Sequence, residues 1–530
     1  MGSKKLQVWL PLMFSVIMII GMYLGFTLRG NTAGAGVFFR NNGINSVEEV
    51  MDLVKTKYVD DVKQDSLDDY AIDNILSHLD PHSVYIPAKD VAYVNEDLDG
   101  KFQGIGVEFQ ILGDTVNIVS VLPGGPSEKA GVQIGDKIIK VNDSVKMAGV
   151  HIAGDEIRKY LRGPQSSTVS ITFLRGKDLK RLVIERGMIP LPSVDAAYMI
   201  APQTGFIRIN KFAATTYFEF MDAITKLQKQ GMQKLILDLR DNGGGLVDQA
   251  TDIADEFLDD NKMIVYTQGT KSGRMDYTCK KEGVFEKGKL VVLVNESTAS
   301  ASEILTGALQ DWDRATIIGR RTFGKGLVQN QFNLSNGGAL RLTIARYYTP
   351  LGRNIQKPYD KGREQYEDEL INRFHDGEVI HGDTTKHSGP IFKTPGGHIV
   401  YGGGGITPDV FVPFDTTMQS RAITQLYIKG TLSDYVYNYY MQHKTTLQPF
   451  KTPAELYAMY KPGEADWQDL VAFAHKDSVN LSTVPLNIKA DIMRRLPILL
   501  ARQIWRNEGY FEVSNENDAV VKKALELIKD

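Results

Sequence analysis

The first apolar pattern is an uncharged run from Val8 to Leu28, preceded by Lys4 and Lys5. That length spans a bilayer as a helix and exceeds the usual apolar region of a cleaved signal peptide. Ala33-Gly-Ala35 offers a cleavage site, so residues 1–29 read as a membrane anchor or signal segment, an uncleaved anchor being preferred. Basic residues before the span place the N-terminus in the cytoplasm and the bulk of the chain outside. Residues 30–45 are rich in Gly and Asn and read as a tether. From Ser46, Val47, Val50, Leu53 and Val54 repeat at helical spacing behind an S-x-x-E start, Ser46 and Glu49. Two or three helices are expected over Ser46 to Ile86, until Leu79-Asp-Pro-His-Ser83 breaks the pattern. Residues 30–94 therefore read as a tether and helical adaptor without chemistry of its own.

From about Asn95 to Gly187 the period shortens to strands separated by glycine turns. The loop Phe102-Gln-Gly-Ile-Gly-Val-Glu-Phe109 enters a strand, and its successive N–H groups can hold a terminal carboxylate. Pro126 to Gly131 and Gly135 to Asn142 give a short helix, a turn and a strand; His151 to Leu161 reads as a second helix, and Thr168 to Arg175 as a closing strand. Residues 95–187 resemble a PDZ domain. The resemblance implies that Gly104, Ile105, Gly106 and Val107 bind a peptide tail added as a strand. Arg162, just after the second helix, is placed to pair with a carboxylate or an internal acidic residue, or to be a solvated surface arginine.

Residues 188–412 alternate strands and helices: Gly205 to Asn210, Phe218 to Gln230, Lys234 to Leu239, Val247 to Leu258, Leu290 to Val294 and Thr316 to Gly319. This is an α/β domain. Tyr359 to His398 is polar and turn-rich and reads as a surface insertion. Residues 413–530 read as a mainly helical extension, clearest over Arg421 to Tyr440 and Ile488 to Gly509.

Composition is ordinary for a globular protein, and a net charge of −3 implies no bulk attraction to nucleic acid. Cys279 is the single cysteine, so no internal disulfide forms. Nine histidines are scattered without a metal-binding spacing, so no metal or cofactor is expected.

Candidate chemistry gathers in three stretches. In Asn295 to Asp311 a buried-strand pattern crosses small residues into an amphipathic helix. Ser300 at that junction lies near unpaired N–H groups and the positive end of the helix dipole, yet Ser300 with Glu303 is also a plain capping box. In Asp238-Leu-Arg-Asp-Asn-Gly-Gly-Gly-Leu246, three glycines at a strand end let amides face a ligand. In Gly319 to Gly326, Gly319, Gly324 and Lys325 nearly match a phosphate-binding loop, but Gly326 stands where a magnesium-binding hydroxyl belongs. A buried Lys325 instead suits a general base, with Gln329 four residues on to orient its amine.

D-L-R-D-N-G-G-G, S-T-A-S-A-S-E-I-L-T-G-A-L-Q-D and G-R-R-T-F-G-K-G-L-V-Q, in that order around a PDZ insert, closely resemble the carboxy-terminal processing peptidases. Tyr347 to Arg353, Ile355-Gln356 and Gly402 to Asp409 extend the match, which covers roughly residues 46–412. The resemblance implies a crotonase/ClpP-like α/β protease core with an inserted PDZ domain, between an N-terminal helical segment and a helical extension. It implies Ser300 as nucleophile, Lys325 as base and Gln329 as its support. It further implies an oxyanion hole from the amides of Ala301 and Gly244, with Glu303 and Asp311 supporting. The expected function is a Ser–Lys endopeptidase, anchored in the inner membrane with its catalytic part on the periplasmic side. It would cut exported proteins near unstructured C-terminal tails, without a cofactor and without nucleic acid. A homo-oligomer or an adaptor protein is a further expected partner. A catalytically silent PDZ scaffold and a crotonase-like acyl-CoA enzyme are the competing readings.

Overall fold

The computed structural model describes residues 13–23, 46–259, 261–382, 389–416 and 420–529. It divides into two units, Met1–Ile72 and Asp73–Asp530.

In the first unit, residues 13–23 are helical and their apolar side chains are exposed. The helix Ser46–Lys57 follows, with no buried residue. Among the described residues no helix is long and apolar enough to cross a membrane. The expected span Val8–Leu28 runs outside the described residues at both ends, and the tether lies outside them.

Two helices, Ser46–Lys57 and Gln64–Ser77, lie within Ser46–Ile86 as expected, but the stretch closes on a strand that was not expected. After the helix Gln64–Ser77 the chain turns at Asp80 and forms a strand, Val84–Ile86. Its Val84 pairs with Arg341 in the long strand Ala339–Tyr348. The β-branched and aromatic run Val84-Tyr85-Ile86 prefers a pleated surface to a helix.

Within the second unit the PDZ segment is an antiparallel sheet. Its order is Val107–Leu112, Thr115–Val121, Lys137–Val141, Thr168–Arg175 and Asp178–Glu185. Ile118, Ile138, Ile171 and Phe173 fill its core beneath the helix Gly154–Leu161, which contributes Ile157 and Leu161. Val107–Leu112 pairs with Thr115–Val121 on one side only, leaving an edge. Lys101–Gly104 pairs with Gly187–Pro190 where the segment leaves the core.

The protease-like core carries a six-stranded sheet, ordered Val194–Ala201, Thr204–Ile209, Lys234–Asp238, Leu290–Val294, Thr316–Gly319 and Val410–Phe411. The first pair is antiparallel and the rest parallel. Leu290–Val294 is buried throughout, as a continuous apolar run requires when both sheet faces are covered. Alternate residues Leu235, Leu237, Val292 and Val294 meet Phe220, Ile253, Ile304 and Leu305 from three helices. Ile236, Val291 and Leu293 meet Val520, Val521, Ala524 and Ile528 on the other face. The last helix, Ala519–Lys529, thus supplies one layer of the core. Burying a Val or Ile side chain fully contributes about 1.5–3 kcal/mol, so this layer is integral to the fold.

The rest of the extension has its own core, around Trp467, Leu470, Leu496 and Leu500. The stretch Arg421–Tyr440, expected to be helical, is two helices, Arg421–Ile428 and Thr431–Leu447, separated at Gly430 with φ 71°. The insertion at 359–398 also differs from expectation. Its helix Arg363–His375 buries Tyr366 and Arg373, and Val379 is buried beyond it.

Candidate active site

Ser300 stands between the sheet and the helix Ala301–Asp311, at φ 57° and ψ −117°. A side chain in that region costs about 1–3 kcal/mol and persists only where its surroundings over-determine it. They do so here. The Ser300 amide donates to Glu303 Oε2 at 2.9 Å. The amides of Glu303 and Ile304 donate to the Ser300 carbonyl at 2.8 and 3.0 Å. The Ala299 amide and the Ser302 hydroxyl both donate to the Asn242 carbonyl, at 3.0 Å each. Glu303 therefore closes the first turn of the helix back onto the Ser300 amide. Of the neighbouring serines, Ser302 is buried and Ser297 exposed; Ser300 lies between them.

Lys325 comes from the next turn. Its amide donates to Glu303 Oε2 at 2.9 Å, and that of Gly324 to Glu303 Oε1 at 2.7 Å. The Thr322 hydroxyl also donates to Oε1, at 2.5 Å. The loop that resembles a phosphate site is thus filled by the protein's own carboxylate. Burial pushes the Glu303 carboxyl up, against these hydrogen bonds, which pull it down. On the other side of the backbone the Tyr347 hydroxyl lies 3.1 Å from the Ser300 carbonyl and in short contact with that of Lys325. Burial holds this phenol protonated. Glu303 grips both amides and Tyr347 both carbonyls, so the two residues are fixed relative to each other by a pair of clamps.

The Lys325 amine donates to Gln329 Oε1 at 3.1 Å. Burial pushes its pKa down, helped by Arg341 and opposed by Glu303 and Asp80. Gln329 in turn donates from Nε2 to the His82 carbonyl at 2.7 Å. The segment read as a bare adaptor therefore reaches the site. His82 Nε2 lies 2.7 Å from the Tyr366 hydroxyl. Burial first, then the Lys325 charge, lowers the imidazole to about 4.

The two amides expected to form an oxyanion hole differ in their surroundings. The Ala301 amide has no acceptor among the described residues. Gly244, at φ 96°, lies so close that a Cβ there would stand 2.7 Å from Ser300 Cβ, which explains the glycine. Its amide, however, donates to Asn242 Oδ1 at 2.9 Å. In this conformation Gly244 does not offer the expected free donor, because the Asn242 side chain has taken it.

Asp311 is fully buried against Arg353 and accepts from the Leu351 amide at 2.9 Å. It ties the helix to the Thr349–Arg353 turn and stands in a supporting role. Arg162 pairs with Glu96 at 2.6 Å and stacks 4.3 Å over Phe102. Of the readings open to it, the internal ion pair is the one realised. Gly104 ends a strand, Ile105 is buried, Gly106 has φ 74°, and Val107 begins the open PDZ edge. Asp80, His82, Asn242 and Tyr366 were not anticipated. The L-D-P-H-S break was visible, but it read as a helix terminator.

Residues 203–362 match the model of peptidase family S41, and residues 118–175 that of a PDZ domain. Residues 422–506 match a family of unknown function (DUF8443). A probable CtpA-like serine protease of Staphylococcus aureus (strain N315) is 37% identical over 315 residues, 59% of this chain and 62% of that protein. The probable CtpA-like serine protease of Staphylococcus saprophyticus subsp. saprophyticus is 34% identical over 361 residues, 66% of this chain and 72% of that protein. A photosystem II D1 C-terminal processing protease aligns with a TM-score of 0.36 and 28% identity, over 69% of this chain and 86% of that one. The chain thus spans 62% of the length of the S. aureus relative and rather more of the S. saprophyticus one. Residues 203–362 fit the S41 model and the S. saprophyticus relative, 34% identical, is covered over 72% of its length, so the protein belongs to the carboxy-terminal processing peptidases of family S41.

Proposed function

We propose that the chain is a serine endopeptidase using Ser300 and Lys325. The observation that carries this is the pair of clamps, Glu303 on both amides and Tyr347 on both carbonyls, which fixes the Ser300 backbone against that of Lys325, whose amine is desolvated. The neutral amine takes the proton from Ser300 Oγ as the oxygen bonds to the peptide carbonyl carbon. Charge developing on the carbonyl oxygen is met by the Ala301 amide at the helix start. The second donor comes from the glycine turn and requires Asn242 to release the Gly244 amide. Lys325 then returns the proton to the departing amine. Water, deprotonated by the same lysine, attacks the ester, and the C–O bond to Ser300 breaks as the lysine returns that proton to Ser300 Oγ, leaving a carboxylic acid and the free serine.

Substrates are unstructured C-terminal tails, added as a strand at the Val107–Leu112 edge with the carboxylate at Gly104 to Val107. Catalysis takes place outside the membrane, on exported proteins, with the N-terminal segment as anchor. A labelled fluorophosphonate tests the chemistry. It should mark wild type, and Ser300→Ala should lose both label and peptide cleavage. Lys325→Arg should lose cleavage, since arginine stays charged. A silent scaffold would show no Ser300-dependent cleavage, and an acyl-CoA enzyme would act on thioesters in its place.

A further inference from the structure

We infer that the turn Asp80-Pro81-His82-Ser83 is a positioning element for the base: the His82 carbonyl locks the amide of Gln329 so that its oxygen, not its nitrogen, faces Lys325. This rests on the Ser–Lys reading above and goes one layer beyond it.

The geometry runs outward from the lysine. A glutamine amide turns either end toward a neighbour with similar ease. Here Nε2 is committed to the His82 carbonyl at 2.7 Å, which leaves Oε1 to accept from Lys325 Nζ at 3.1 Å. A neutral amine has two N–H bonds and one lone pair. With one N–H spent on Gln329, the lone pair is free to turn toward the serine hydroxyl. A flipped amide would present its own N–H to the lysine and occupy that lone pair.

The turn is pinned for this purpose. Asp80 Oδ1 accepts from the amides of His82 and Ser83, at 2.9 and 3.0 Å. Oδ2 accepts from the Ser83 hydroxyl at 2.6 Å. The Thr343 hydroxyl donates to Asp80 Oδ1 at 3.0 Å, and the Thr343 amide donates to Ser83 Oγ at 3.2 Å. Thr343 is the cross-strand partner of Gln329, and the register slips between Val328 and Gln329. A bulge beside a site re-aims the side chain that follows it. The slip places Gln329 and Thr343 opposite each other, and both reach the same turn. The His82 ring adds an anchor, edge-on to Phe323 and Tyr366 with centroids 6.3 and 5.3 Å away.

The charged and titratable groups around Lys325 are Arg341 on the facing strand, Glu303 on the nucleophile helix, and Asp80 and His82 in the turn. Asp80 favours the protonated lysine, as does the Gln329 oxygen. Losing either lowers the lysine's pKa.

The test is a cycle on the purified full chain: wild type, Asp80→Ala, Gln329→Ala and the double variant, with kcat, KM and the pH profile of kcat for one peptide. Each single change should lower kcat about tenfold to a hundredfold, the usual effect of removing an outer partner of a reacting group. KM should change by less than about threefold, and the acid limb should move to lower pH. Above the acid limb, where the direct effect of the Asp80 charge on the lysine's protonation no longer shows, the double variant should lose no more kcat than Gln329→Ala alone, because both then act through one amide. Multiplicative losses, an unmoved acid limb, or a loss confined to KM would overturn the inference. If Asp80→Ala does not fold, Thr343→Val removes one hydroxyl from the turn and should show the same pattern at smaller size. Ser300→Ala is run alongside. Wild-type activity that survives it would sink the Ser–Lys reading itself, whereas Ser300-dependent activity with an additive cycle would sink this inference alone.

Discussion

Lys325 and Lys357 are both desolvated lysines beside His82, and burial pushes both amines downward. Their partners differ. Lys357 donates to Glu369 at 2.9 Å and to the Tyr366 carbonyl at 3.0 Å, and lies 4.1 Å over the Phe323 ring. Glu369 is held at about 2, against its own burial, by Arg373 and then Lys357. Lys325 donates to a neutral amide, with Arg341 adding repulsion. Lys357 is only 2% exposed, yet it keeps a full counter-charge. Burial alone does not make a base. A lysine gives up its proton readily where its hydrogen-bond partner is neutral, and acts as a structural cation where that partner is ionised.

The largest expected effect breaks the pair apart by activity. Lys325→Arg and Lys325→Ala should each lower kcat by about a hundredfold to ten-thousandfold, the range assigned to a general base. The wild-type rate should rise with pH as Lys325 loses its proton, with the midpoint below that of an ordinary lysine. A pre-steady-state pH profile of acylation reads this, and a flat profile from mildly acidic to alkaline pH would remove Lys325 from the role.

Stability should order the two lysines the other way. Lys357→Met should cost about 1.5–3 kcal/mol, the value of a hydrogen bond to a charged group. The figure stays moderate because Arg373 and Arg321 still pair with Glu369. Lys325→Met should cost less. The folded Lys325 titrates below its unfolded value, so between the two pKa values the unfolded chain binds the extra proton. Stability therefore rises with pH through that window, and Lys325→Met should flatten this rise. Urea titrations of both variants from neutral to alkaline pH decide it, and a wild-type slope unchanged in Lys325→Met would contradict the downward shift of Lys325.

The same contrast marks what the sequence could disclose. Ser300, Lys325, Gln329 and Glu303 lie in contiguous motifs whose small residues and glycines carry their own local reason. The parallel strands were visible because a strand buried on both faces is apolar at every position. Lys357 carried no such mark, since its counter-charge is twelve residues on, in an insertion whose polar surface residues hide Tyr366 and Arg373. Asp80 and His82 were hidden for a related reason. A turn looks alike whether it merely ends a helix or offers its carbonyl to a residue 247 positions away. The helix Ala519–Lys529 shows a clear apolar stripe, but a stripe does not name the surface that it covers. The Asn242 contact that occupies the Gly244 amide depends on one side-chain rotamer, which no motif encodes.

The smallest effect is the sharpest test of the comparison, because His82 feels both lysines. Its imidazole sits at about 4 through burial, then Lys325, with Asp80 opposing and Lys357 adding a further push downward. An unfolded chain titrates at the ordinary value near 6.5. As pH falls through that interval the unfolded state gains a proton that the folded state refuses, so stability should fall by up to roughly 3 kcal/mol between pH 6.5 and 4. His82→Phe keeps the ring against Phe323 and Tyr366 and keeps the backbone carbonyl, and it should remove most of this acid-side slope. Lys357→Met should act on His82 at a distance. If Lys357 is a charged structural lysine, deleting it should raise the midpoint of His82, read from its imidazole proton shifts, by a few tenths of a pH unit or more. An unmoved midpoint would mean that Lys357 carries no charge in that range, and the distinction between the two lysines would fall with it.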